Sequence, residues 1–208
     1  GVGDILAKYC CLTDWRISSF LTGEQVNEEA FSLMQDAVLA CDGALPALRR
    51  GEEEGVEKLM DALLISGYAM VIAGNSRPAS GAEHHMSHFL EMDFLRRGER
   101  IPLHGVKVGL GTMVSLYLYH TLSRRPAFEG CERVYAAAER LPQPEYVASV
   151  LQSFGCPTRF SQLGVGKDTV RRMLFEAYRL RDRFTVLTLY CTRGWMGRAA
   201  DEVLERYY

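Results

Sequence analysis

The feature that most limits the fold of this chain is the spacing of its apolar residues, which recur every three or four positions along almost the whole length. Strand-like patterns are nearly absent, so we expect an all-α, multi-helical fold in one domain covering residues 1–208. The predicted helices span residues 4–23, 27–46, 52–74, 83–95, 108–122, 131–140, 144–154, 166–180 and 195–208. The run 183–189 has a strand-like pattern, and no helix is predicted there.

Two of these helices carry a packing prediction. The helix at 108–122 should be strongly buried, with Gly109 and Gly111 permitting close packing. The helix at 52–74 should be buried along one side, and that side comprises Val56, Leu59, Met60, Leu63, Leu64, Tyr68 and Met70.

Charge and hydropathy exclude several classes of partner. The net charge of −2 gives no electrostatic footprint for nucleic acid or for an anionic membrane. No apolar run reaches the roughly 18 residues that a transmembrane helix needs, and no secretion signal is present at the N-terminus. The six cysteines are scattered without CxxC spacing, so we expect them to be reduced and buried in a cytoplasmic protein.

Four of the five histidines lie between residues 84 and 104. His84 and His88 are four residues apart, which places both imidazoles on one face of a helix. His104 follows Pro102 at a predicted helix start, where it could point toward the same site. The pattern raises the hypothesis of a metal site without deciding it, because histidine pairs at this spacing also arise by chance. His120 is interpreted as a core histidine with its hydrogen bonds satisfied.

Four segments resemble one known family. Residues 76–89 (SRPASGAEHHMSHF) resemble the signature segment of the glycerol-1-phosphate dehydrogenases, within the larger group of iron-containing alcohol dehydrogenases, glycerol dehydrogenases and dehydroquinate synthases. Residues 103–109 (LHGVKVG) resemble the second histidine motif of that group, residues 1–4 (GVGD) its Gly-x-Gly-Asp motif, and residues 183–187 (RFTVL) its late Arg-Tyr-Thr-Ile-Leu segment.

The resemblance implies roles for four residues. Asp4, His84 and His104 are expected to bind a divalent metal, zinc first, with nickel or iron as alternatives. His88 is expected to bind the substrate, and Asp4 to contact it as well. No cofactor-binding residue is assigned in this chain.

The resemblance also implies that the whole enzyme has two domains with different binding functions. This chain corresponds to the helical C-terminal domain of the dehydroquinate synthase-like fold, and the N-terminal α/β domain that binds NAD(P) is expected to be absent from it. The whole enzyme would reversibly reduce dihydroxyacetone phosphate to sn-glycerol 1-phosphate, in phospholipid metabolism. The chain alone should be inactive, because half of the active site is missing.

Several alternatives stay open at this point. A related polyol or alcohol dehydrogenase, a dehydroquinate synthase-like enzyme, or a non-catalytic helical domain would each share parts of the pattern. Arg77, in the loop before the histidine helix, is a candidate for the substrate phosphate, although a structural salt bridge fits it equally well. A homo-oligomer is possible and is not indicated by any single residue.

Overall fold

The computed structural model describes all 208 residues and contains α-helices and short 3₁₀ turns with no strand, which confirms the all-α prediction. The helices are α1 (Val2–Leu6), α2 (Lys8–Thr22), α3 (Glu28–Gly43), α4 (Leu45–Arg49), α5 (Glu53–Ala73), α6 (Ala82–Arg97), α7 (His104–His120), α8 (Cys131–Ala138), α9 (Pro144–Ser153), α10 (Lys167–Glu176), α11 (Val186–Thr192) and α12 (Met196–Tyr207). The 3₁₀ turns are Leu122–Arg124, Phe160–Leu163 and Ala177–Leu180. No helix has both the length and the apolar character needed to cross a bilayer.

Glycines end several of the helices where the sequence predicted. Gly23 and Gly74 adopt left-handed backbone conformations with φ of 76° and 67°, and they terminate α2 and α5. Only glycine enters this region without a steric penalty from Cβ, so the chain turns away sharply at both points.

Several helix predictions were wrong in detail. The single helix predicted over 4–23 is divided at Ala7 into α1 and α2, and α4 was not predicted. α7 begins at His104, four residues before the predicted start, so His104 lies at a helix N-terminus as its position after Pro102 suggested. α11 was missed, because its strand-like run is held as a helix by Thr185, whose side chain accepts a hydrogen bond from the backbone of Thr188, and by a contact from the distant Asp14.

The core is built around α6 and α7, the two helices that carry the histidines. Thirty-eight buried residues form one apolar cluster that includes both helices and most of the C-terminal half, and eleven more form a second cluster between α2, α3 and α5. α7 is buried almost all round, as predicted. The site at the start of α6 and α7 therefore rests on the most rigid part of the molecule.

The predicted buried side of α5 was only partly correct, because Leu59 and Leu63 pack against the second apolar cluster and Met70 is half-buried. Val56, Met60, Leu64 and Tyr68 are exposed, by 47 to 69% of their surface. The fully buried residues of α5, which packs against α3 and α4, are the small ones Gly55, Ala62, Ser66 and Ala69. Because α5 is apolar on most of its circumference, periodicity alone could not tell which side faces the core.

Glycines bring the helices of the site into main-chain contact. A Cβ atom added to Gly3 would lie 2.1 Å from the carbonyl oxygen of Gly105, so α1 touches the first turn of α7. A Cβ on Gly111 would lie 2.6 Å from the carbonyl oxygen of Glu83, so α7 also touches α6. The close packing predicted at Gly111 is confirmed. No larger residue fits at Gly3 or at Gly111.

The cysteines are all free, as predicted. Cys10, Cys11, Cys41 and Cys131 are buried and act as small apolar residues. Cys156 and Cys191 are only half-buried, because each lies at the edge of the larger apolar cluster, which corrects the prediction for these two.

Candidate metal centre

The structure brings Asp4, His84 and His104 together, although 80 residues separate the first from the second. Asp4 Oδ1 lies 3.2 Å from His84 Nε2 and 3.5 Å from His104 Nε2. One ligand atom from each residue lies within 4.8 Å of the other two. Each residue comes from the start of a different helix, and the contact between Gly3 and Gly105 holds the first of these helices against the last.

The spacing of these atoms fits a metal ion. Zinc–nitrogen bonds of about 2.0–2.1 Å in a tetrahedral arrangement separate neighbouring ligand atoms by about 3.3 Å. The two distances from Asp4 Oδ1 bracket that value. Two imidazoles and one carboxylate suit zinc, nickel or iron and leave at least one position for a further ligand.

Glu83 is a part of the site that the sequence analysis missed. Its side chain is completely buried, and its Oε1 atom lies 2.8 Å from His84 Nδ1 while accepting a hydrogen bond from the backbone N–H of Gly81. A carboxylate at this distance requires a proton on Nδ1, so it fixes the tautomer of His84 and turns the Nε2 lone pair toward Asp4. The sequence signal was the residue directly before the first histidine.

This arrangement requires a positive charge between Asp4 and His84. With Nδ1 protonated by its contact to Glu83, the neutral imidazole would point a lone pair at a carboxylate oxygen only 3.2 Å away. Two acceptors facing one another repel unless a proton or a metal cation lies between them. The donor set therefore fits a metal ion on the evidence of its hydrogen bonding as well as its spacing.

The ionisation of Asp4 agrees with such a role. Burial opposes its charge, but hydrogen bonds with His104 and His84 outweigh this effect and hold the pKa of Asp4 well below its ordinary value. For His84, burial likewise opposes the charged form, while hydrogen bonds with Asp4 and Glu83 raise its pKa. In both cases the cluster favours charge inside a largely buried site.

Lys8 is the second residue that the sequence analysis missed. Its ammonium group, 1% exposed, lies 3.2 Å from the other carboxylate oxygen of Asp4 and donates to the backbone carbonyl of Ala79 at 3.1 Å. Lys8 is four residues after Asp4, a spacing at which helical side chains of opposite charge meet. It therefore orients Asp4 so that Oδ1 faces the histidines.

His88 and His85 occupy different surroundings. The ring of His88 lies 6.5 Å, centre to centre, from the rings of both His84 and His104, at the open side of the cluster. His85 is fully buried on another face of α6, and neither of its ring nitrogens has a hydrogen-bond partner. Burial lowers the pKa of His85 to about 4, so it is a neutral side chain.

The site is open toward solvent at one edge. The side chain of His104 is 49% exposed, against 19% for Asp4 and 9% for His84. Leu103, directly before His104, is 79% exposed. A small molecule can thus approach the cluster from the side of His104 and His88.

His120 and Arg77 complete the placement of the residues singled out from the sequence. His120 Nε2 lies 3.0 Å from the carbonyl oxygen of Pro142, so it is satisfied as predicted, although it is half-buried. The guanidinium of Arg77 is used fully within the fold, because it binds Glu24 with two nitrogens and the carbonyl oxygen of Phe184 with the third. Arg77 is therefore a structural ion pair and not a free phosphate ligand, which corrects that interpretation.

The sequence of this chain is similar to those of known proteins. No protein-family model matches the chain. A protein of Bacillus velezensis named glycerol-1-phosphate dehydrogenase, NAD(P)+, is 40% identical over 196 residues, which is 91% of this chain and 49% of the relative. The chain is a homologue of the glycerol-1-phosphate dehydrogenases.

Other glycerol-1-phosphate dehydrogenases match to a similar extent. The protein of that name from Pyrococcus furiosus is 34% identical over 90% of this chain, and the one from Caldivirga maquilingensis is 32% identical over 99% of it. The matched part is 47% and 52% of these two relatives. The chain thus spans about half the length of the glycerol-1-phosphate dehydrogenases that it matches.

Proposed function

We propose that this chain is the helical, metal- and substrate-binding part of a glycerol-1-phosphate dehydrogenase. The reaction would be the reversible reduction of dihydroxyacetone phosphate to sn-glycerol 1-phosphate by NAD(P)H, within cytoplasmic phospholipid metabolism. The convergence of Asp4, His84 and His104 is the observation that supports this most, since three residues from different helices form one donor set. The names of the homologues support the substrate and the cofactor.

Asp4, His84 and His104 would hold one divalent cation, with zinc as the first choice and nickel or iron as alternatives. Such a cation acts as a Lewis acid, which polarises a ketone and stabilises a developing alkoxide. The side chains of this chain would orient the metal ligands. Lys8 and Glu83 fix the orientation of Asp4 and His84, so the ligand atoms are positioned before substrate arrives.

His88 would act on the substrate. It lies at the open side of the cluster, one helical turn beyond His84, and burial followed by the charge of His84 lowers its pKa. A neutral imidazole there can donate one hydrogen bond to a substrate hydroxyl and accept a proton from it. Asp4 would contact the substrate as well.

The nicotinamide would be bound by an N-terminal α/β domain, which is the partner proposed for this chain. On this proposal the chain binds metal and lacks turnover by itself. Activity with dihydroxyacetone phosphate should appear when it is joined to such a domain. A non-catalytic helical domain that keeps the fold and the metal would bind metal in the same assay and remain inactive after joining.

The metal is tested directly by elemental analysis of the purified chain. We expect about one zinc, nickel or iron per chain, and loss of it in the double variant H84A/H104A. The matched control is His120→Ala, which removes a histidine outside the cluster. Equal metal content in the double variant and the wild type would refute the assignment.

A further inference from the structure

A polar cavity lies beside the 3₁₀ turn Ala177–Leu180, which packs against α6. Its volume is about 700 Å³, and it is lined mainly by α2, the loop of Arg77 and the segment that leads into α11. Four arginines line this cavity, against only two carboxylates: the arginines are Arg77, Arg179, Arg181 and Arg183, and the carboxylates belong to Glu24 and Asp182. The excess of positive charge is unusual in a chain whose net charge is −2.

The charges in this cavity are unevenly compensated. Glu24 is fully engaged by Arg77, which it binds through both oxygens. Arg179, Arg181 and Arg183 have no carboxylate within 4.0 Å, the distance at which an ion pair forms. Three guanidinium groups therefore lie within five residues of sequence, and the only carboxylates lining the cavity are those of Asp182 and of Glu24, which is bound to Arg77.

Arg183 is the arginine of this cavity that has a buried, unsatisfied donor. Its Nη1 atom is buried and has no hydrogen-bond partner. Burial, followed by the positive charges of Arg77 and Arg181, lowers the pKa of Arg183. A buried, unpaired N–H of a charged group is costly, and such a cost is expected where a ligand supplies the missing acceptor.

The guanidinium groups, and not the hydroxyls, are the donors that the cavity offers to a ligand. Ser18, Thr22 and Thr188 also line it, but each of these hydroxyls already donates to an oxygen atom of the protein. Tetrahedral oxyanions accept several hydrogen bonds at once, and arginine binds them through two nitrogens together. Phe184 and the ring of Tyr178 are the aromatic members of the lining.

We propose that this cavity is an anion site for a phosphate group, held by Arg179, Arg181 and Arg183. Arg77 does not bind the anion, because its guanidinium is already paired with Glu24. It forms part of the wall of the cavity instead. The site is defined by this chain alone and does not require the metal.

The phosphate has two possible sources. It could belong to a free phosphate or a phosphorylated effector, or it could be the phosphate of the same molecule that reaches the metal centre. The 3₁₀ turn that carries Arg179 packs against α6, the helix that carries the proposed metal ligand His84, so both sources stay open. The chemistry recognised is the same in both cases.

The test is calorimetric titration of the whole chain with inorganic phosphate, at about 50 mM and 200 mM NaCl. We expect saturable binding of one phosphate per chain. The double variant R179Q/R181Q should weaken it at least about tenfold, since each charge-assisted hydrogen bond contributes strongly. Both arginines are exposed and free of ion pairs, so this variant should fold with an unchanged melting temperature.

The matched control is R96Q/R124Q, which removes two exposed arginines without ion pairs that lie outside the cavity. Its phosphate affinity should stay within about twofold of the wild type. Absence of saturable binding, or an equal loss in both double variants, would overturn the site, because the attraction would then be diffuse.

A second titration separates the sources. If glycerol 1-phosphate binds more tightly once zinc is added while inorganic phosphate does not, the anion is the phosphate of the molecule at the metal centre. If zinc changes neither affinity, the cavity takes a separate phosphate. In H84A/H104A the inorganic phosphate affinity should be retained, so loss of the proposed metal function leaves this result intact.

Discussion

The carboxylate of Asp14 accepts a hydrogen bond of 2.7 Å from the backbone N–H of Val186, 172 residues further along the chain. Its other oxygen accepts an equally short bond from the backbone N–H of Ala82. These are the first residues of α11 and α6, so one buried side chain caps two helices. The second of these helices carries His84.

Replacing Asp14 by alanine should therefore lower the free energy of unfolding by about 3 kcal/mol, since it leaves two N–H groups and the hydroxyl of Tyr119 without an acceptor. Urea unfolding followed by circular dichroism measures this. Asp36, exposed on α3, provides the control, and D36A should change stability by less than about 0.5 kcal/mol. Similar losses in both variants would show that the caps contribute little.

The same carboxyl group predicts a dependence of stability on pH. Burial, followed by the nearby charge of Glu83, raises the pKa of Asp14 to about 7, whereas the unfolded chain has the ordinary value near 3.8. The folded state binds the proton more tightly, so this group stabilises the fold at low pH and loses that contribution as the pH rises from about 4 to about 7.

The variant D14N, which resembles the protonated form, isolates this effect. Its stability relative to the wild type should increase by about 2 kcal/mol between pH 5 and pH 7.5. Urea unfolding at both pH values measures the difference. A relative stability of D14N that falls as the pH rises would contradict the assigned direction.

Two glycines offer a matched pair of substitutions. Gly3→Ala places a methyl group against the carbonyl oxygen of Gly105, which cannot move without shifting α7. We expect a loss of about 2 kcal/mol or more in stability, together with weaker metal binding, because Asp4 moves away from His104. Gly67→Ala in α5 meets no atom within 4 Å and should stabilise the chain by about 0.5–1 kcal/mol. Equal effects at the two positions would exclude the close helix contact as the cause.

Glu83→Gln tests the orientation of His84. The amide can still accept from Gly81, but it is neutral and no longer holds the proton on His84 Nδ1 firmly. Metal affinity, measured by competition with a chelator, should fall about 10- to 100-fold. The ring ¹⁵N shifts of His84 report the tautomer without metal. The exposed Glu57→Gln on α5 is the control, and unchanged shifts in E83Q would rule out the positioning role.

The sequence predicted the helices well because helical spacing and glycine stops are local signals. Gly23 and Gly74 ended their helices as expected, whereas α11 depends on Asp14, which no local pattern reveals. The exposed side of α5 shows the same limit, since which apolar side is buried depends on its neighbours. Lys8 and Glu83 were missed for a related reason: their importance lies in what they face. The predicted roles of Asp4, His84, His88 and His104 stay predictions, although their proximity is established.

The direct main-chain contact between Gly111 and Glu83 has a consequence for how this fold can diverge. Where two backbones touch, the distance between helices is set by covalent geometry rather than by the volume of side chains. Apolar residues elsewhere in α6 and α7 can then be exchanged over time while the histidines keep their separation. Substitutions can thus accumulate in the core without changing the geometry of the histidine cluster, as long as Gly111 remains.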